Sequence, residues 1–121
     1  SAVAGGYLIA VPDSTPGNQF VRTSDGINWD TLTVPVSGQW FAIGAYATQN
    51  GTTWIATTSA RETVISQDNG NTWIQTAGLP GTTGNTSYIV PSYNLGQFLC
   101  IRNGTSPVVN RAPLNQYFYE P

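Results

Sequence analysis

Apolar and aromatic residues in this chain come in short runs, parted by clusters of Gly, Pro, Asn, Asp and Thr. Tyr7-Leu8-Ile9-Ala10-Val11, Trp54-Ile55-Ala56-Thr57-Thr58 and Phe98-Leu99-Cys100-Ile101-Arg102 each open on an aromatic and continue with small or β-branched residues. Upstream of the second and third lie Phe41 to Tyr46 and Tyr88 to Tyr93. Downstream come Gln19 to Arg22, Thr63 to Ser66 and Pro107 to Asn110, then Trp29 to Val34, Trp73 to Thr76 and Tyr117 to Tyr119. No long stretch keeps the three- and four-residue apolar spacing of a helix, and helix-breaking residues interrupt every segment. The pattern predicts an all-β chain of short antiparallel strands, in a sandwich, barrel or propeller.

The turns repeat as well. Thr23-Ser24-Asp25-Gly26-Ile27-Asn28-Trp29 and Ile65-Ser66-Gln67-Asp68-Asn69-Gly70-Asn71-Thr72-Trp73 both run Ser, Asp, Gly, spacer, Trp after an apolar run. An Asp-Gly turn used twice marks a repeated hairpin. Trp54 to Trp73 and Phe98 to Tyr117 both span 19 positions, whereas Tyr7 to Trp29 spans 22, with the extra length in Pro12 to Asn18. Asp68 lies 14 positions beyond Trp54, and the same count from Phe98 falls on Ala112, so the third copy loses its acid. The reading is one domain, 1–121, of three copies at approximately 1–38, 39–84 and 85–121. Only Ser1 to Gly6 precede Tyr7, so the first copy is expected to lack its opening strand.

Charge narrows the partners. Charged residues make up 8% of the chain and the net charge is −2, so the polar surface is built from Thr, Ser, Asn and Gln and offers little electrostatic steering. The only basic residues, Arg22, Arg61, Arg102 and Arg111, are scattered, which argues against nucleic acid, since such partners need a clustered basic patch. No apolar run approaches the roughly 20 residues that span a bilayer, so membrane insertion is not expected. Cys100 is the single cysteine and sits in an apolar run, which reads as a buried, inert thiol.

At the two turns the chain resembles the Asp-box repeats, also called bacterial neuraminidase repeats. Their pattern, Ser-x-Asp-x-Gly-x-Thr-Trp, lies on the hairpin between the third and fourth strands of a β-propeller blade. Ser66, Asp68, Gly70, Thr72 and Trp73 match it completely. Ser24, Asp25, Gly26 and Trp29 depart from it, with nothing between Ser and Asp and one residue fewer before Trp. The resemblance implies about three propeller-like blades, completed by oligomerisation because three cannot close a ring. It also implies a structural Asp: the carboxylate accepts N–H groups across a tight turn, Gly supplies positive φ, and Trp packs over the hairpin.

Asp-box proteins include sialidases, other secreted glycosidases, sorting receptors and bacteriophage tail or capsid-surface proteins. A charge-poor chain rich in Thr, Asn and Gly resembles the phage group most. The function expected is therefore a non-enzymatic structural or decorating component of a bacteriophage particle, at the virion surface or tail, partnered by itself and by other virion proteins. The alternative is a receptor-binding or lectin-like module, virion-borne or secreted, recognising cell-surface glycans. Trp40 is its candidate sugar platform, because it precedes the repeated Phe41/Tyr88 slot where the third copy has Ser87. Core packing is the competing reading for Trp40. A fragment of a sialidase-like glycosidase is the enzymatic reading. It needs an arginine cluster and paired acids, and Asp13, Asp30, Glu62 and Glu120 show no such spacing. Without histidine there is no Ser-His or Cys-His nucleophile and no imidazole for a metal, so no catalytic residue, metal or cofactor is assigned.

Overall fold

The computed structural model describes residues 1–12, 16–47, 51–58 and 62–76 with their side chains, and residues 48, 86–92, 97–102 and 108–113 as strand backbone. The chain is all-β. Strands β1 (Ala2–Ala4), β2 (Tyr7–Ala10), β3 (Gly17–Thr23) and β4 (Asp30–Gly38) form one antiparallel sheet in sequence order. Strands β5 (Trp40–Thr48), β6 (Gly51–Thr58), β7 (Thr63–Ser66) and β8 (Ile74–Thr76) form a second in the same order. Strands β9 (Thr86–Ser92), β10 (Gln97–Arg102) and β11 (Val108–Pro113) form a third, in order β11-β10-β9. The expected run Tyr117 to Tyr119 lies outside the described residues.

The first sheet does have its opening strand. Gly5 and Gly6 both take positive φ (+55° and +81°), the geometry a two-residue hairpin demands, and they fold Ala2–Ala4 back onto β2. Three residues with one apolar outer side chain leave too faint a pattern to read as a strand.

Alternation along the strands sets the faces. In sheet 1, Tyr7, Ile9, Phe20, Leu32, Val34 and Val36 join one apolar cluster with Trp40, Ile43, Trp54, Ala56, Val64 and Trp73 of sheet 2. Val3, Leu8, Ala10 and Val21 alternate with those residues and lie on the outer face of sheet 1. Phe20 joins the sheets: its ring is edge-on to Trp40 (4.7 Å, 87°) and to Trp73 (5.1 Å, 87°). Such pairs add about 0.5–1.5 kcal/mol each beyond burial. A single residue, Gln39, separates β4 from β5, so the chain passes directly from the first sheet to the second. β1 and β9 both lie beside β5, and β4 meets β7 and β8.

Candidate functional site

The polar chemistry of the described residues concentrates in the turns after β3 and β7. In the second, Ser66 Oγ donates to Asp68 Oδ1 (2.9 Å) and accepts the N–H of Gly70 (2.8 Å) and, more weakly, of Asp68 (3.4 Å). Asp68 Oδ1 also accepts the N–H of Thr72 (2.8 Å), and Oδ2 accepts the Thr72 hydroxyl. Trp73 closes the turn by donating its indole N–H to Gly70 O (2.9 Å).

The first turn repeats this arrangement with a different hydroxyl. Thr23 Oγ1 donates to Asp25 Oδ1 (3.1 Å) and accepts from Gly26 N (2.8 Å) and Asp25 N (3.3 Å). Asp25 Oδ1 takes the N–H groups of Ile27 and Asn28 (both 2.8 Å), and Oδ2 takes the Asn28 amide (2.8 Å). Thr23 therefore fills the slot of Ser66, and Asn28 that of Thr72. Ser24, the expected serine of this motif, is an exposed spacer equivalent to Gln67. The departure from the motif lies after the acid, where Asn69 has no counterpart.

That correction moves the whole alignment by one. Thr23 stands opposite Leu8 and Ser66 opposite Trp54, so Leu8, not Tyr7, is the equivalent of Trp54. Counting also misplaced Ala112: it stands opposite Phe98, as Ser66 stands opposite Trp54, so with Phe98 aligned to Trp54 it holds the hydroxyl's rung and not the acid's.

Asn69 is where the second turn reaches its neighbour. It takes positive φ (59°), which Asn tolerates better than most side chains. Its carbonyl accepts from Arg22 Nη1 (2.6 Å), and its Oδ1 accepts the Trp54 indole N–H (3.4 Å). Arg22 Nη1 also donates to Asn71 Oδ1 (3.0 Å), while its other nitrogens bond Asp30 and its guanidinium lies over the Tyr7 ring (5.1 Å). Asp30 is largely exposed, so that ion pair is worth little by itself. Arg22 and Asn69 carry no motif signal and are legible only once the sheets are packed.

These carboxylates are ill-suited to catalysis. N–H donation from Asn28 and then Ile27 holds the Asp25 carboxyl well below the ordinary 3.8. Burial pushes Asp68 up, but the Thr72 hydroxyl and N–H and the Ser66 hydroxyl outweigh it and bring the group down. A general base at neutral pH needs an available lone pair and a pKa near 7. A shallow cleft of about 200 Å³ beside Asp68 is lined by Ile65, Gln67, Thr72 and Ile74, and is smaller than typical small-molecule pockets. No group of three or more metal-ligating side chains occurs among the described residues.

The other named residues divide sharply. Trp73 is buried against sheet 1, whereas Trp29, expected to pack over its hairpin, is half exposed. Trp40 is buried, with its indole N–H on Gly17 O (2.8 Å) and Phe20 edge-on to it. That is the packing role, and it leaves no face for a sugar. Compared with family models, curated proteins and solved structures, the chain matches none.

Proposed function

We propose that this chain is a non-enzymatic structural or decorating component of a bacteriophage particle, with its sheets acting as propeller-like blades. The observation that carries the non-enzymatic part is the saturation of Asp25 and Asp68 by their own turns. The blade reading is supported by sequential antiparallel sheets, two of four strands and one of three described strands, whose first strands are neighbours, β1 beside β5 and β5 beside β9. The virion placement is supported by the charge-poor, Thr- and Asn-rich composition and by the Asp-box resemblance of the turns. A glycan-binding module is the competing reading, and with Trp40 in the core its stacking residue would be Trp29.

Quantitative mass spectrometry of sedimented phage particles against the soluble fraction tests the proposal. Peptides of this chain at fixed stoichiometry with the particle support it. Their confinement to the soluble fraction, or binding on a glycan array that Trp29→Ala abolishes, would favour the competing module.

A further inference from the structure

We propose that the outer face of sheet 1 docks a second copy of this chain, which covers it with a sheet of the same repeat. The turn geometry fixes a one-to-one equivalence between the two sheets. Rung Val3, Leu8, Thr23 of sheet 1 corresponds to Ala45, Trp54, Ser66 of sheet 2. The next, Ala10, Val21, Thr31, corresponds to Ala56, Val64, Gln75, and Trp29 to Trp73. In sheet 2 Ala45, Trp54, Ala56, Val64 and Trp73 of this set join the cluster shared with sheet 1, and Ala45, Val64 and Trp73 are 8%, 0% and 7% exposed. Their counterparts Val3, Val21 and Trp29 are 71%, 39% and 50% exposed. One face, built twice, is covered in sheet 2 and only partly covered in sheet 1, where Leu8 and Ala10 are half-buried and Thr23 is buried in its own turn.

The occupant follows from what the chain has already used. The central strands β6 and β7 of sheet 2 are buried on both faces: Trp54, Ala56 and Val64 face sheet 1, and Ile55, Thr57 and Ile65 on the other side are at most 1% exposed. The inner face of sheet 1 is committed to sheet 2, and β9 of sheet 3 runs along β5. The three described sheets are too few to bend round and meet by themselves, since closed rings of such sheets take about four to eight. The open face is uncharged along its rungs, so it suits another neutral sheet and offers an ionic partner nothing. Sheet 3 also repeats the rung that reaches across the sheet 1–sheet 2 contact: Arg111 stands opposite Leu99 as Arg22 stands opposite Ile9. A head-to-tail contact between sheet 3 of one copy and sheet 1 of the other closes a ring when two copies join.

This inference rests on the blade reading but not on the virion placement. The test is light scattering coupled to size exclusion, from about 1 to 100 µM, on the wild type, Val3→Lys and Trp29→Lys, with far-UV circular dichroism as the folding control. These concentrations bracket micromolar association. The expected species is a dimer of twice 12.9 kDa. Either variant, folded, is expected to raise its dissociation constant tenfold or more, as central contacts of an interface do. Val3 is so exposed that its replacement leaves the monomer fold intact, which keeps the test decisive if Trp29→Lys unfolds. A wild-type monomer throughout the range overturns the proposal, as does association indifferent to Val3→Lys. A dimer in a chain absent from particles removes the virion placement alone, and a monomer abundant in particles removes the docking face alone.

Discussion

Gly70→Ala and Gly26→Ala are the same chemical change in the same slot of two turns, yet their surroundings differ. Both glycines hold positive φ, +90° at Gly70 and +75° at Gly26, so each substitution carries backbone strain of about 1–2 kcal/mol. A Cβ at Gly26 meets nothing within 4 Å. At Gly70 it lies 2.6 Å from Leu32 Cδ1 and 3.1 Å from Ile9 Cδ1, both on sheet 1. Leu32 and Ile9 are buried in the shared cluster, so making room means repacking it, at about 1–3 kcal/mol. The expected penalties are about 1–2 kcal/mol for Gly26→Ala and about 2–5 kcal/mol for Gly70→Ala. Urea unfolding measures both, and an unchanged m-value confirms that only stability moved. The pair is made in a Val3→Lys background, which keeps the outer face of sheet 1 solvated. Equal penalties would refute the reasoning, because they would mean that the second turn is not seated on sheet 1.

The same structure makes three further predictions. Phe20→Ala removes the ring that meets both Trp40 and Trp73 and is expected to cost about 3–5 kcal/mol in urea unfolding; a loss below about 1 kcal/mol would contradict the packing. Arg22→Lys keeps the charge but loses the fork that serves Asp30, Asn69 and Asn71 together, and is expected to cost about 1–2 kcal/mol, whereas stability equal to the wild type would deny the bridge between sheets. Asp25 and Asp68 have depressed folded pKa values, so their stabilisation is complete above the ordinary 3.8 and lost as pH falls through the range below it. Unfolding free energy should therefore be flat from about pH 7 to about pH 5 and fall below about pH 4, less steeply in Asp68→Asn; a rise in stability below about pH 4 would reverse the assignment.

Strand positions were legible because β-branched and aromatic runs mark where a pleated, half-buried surface is built. The runs at Tyr7, Trp54, Thr63 and Phe98 all fall on strands. Register was not legible. Letter-matching chose Ser24, but the turn needs a hydroxyl one residue before the spacer, and Thr23 supplies it as well as serine does. The one-residue difference exchanges the faces of a strand, which is why Val21 rather than Phe20 answers to Val64. Trp40 stood out in the sequence for lacking a partner in the third copy, yet its burial depends on Phe20 and Gly17, residues on another sheet. Contacts between sheets, such as Arg22 with Asn69, leave no local trace and appear only after packing.

Amide hydrogen exchange at Gly26, followed by NMR in the wild type, Ser24→Ala and Thr23→Ala, tests the equivalence of the two turns most directly. On that equivalence rest both the structural role of the acids and the open face of sheet 1. The account predicts a Gly26 N–H protected in the wild type and in Ser24→Ala, and exchanging freely in Thr23→Ala, because its acceptor is Thr23 Oγ1. Protection lost in Ser24→Ala but kept in Thr23→Ala would contradict it.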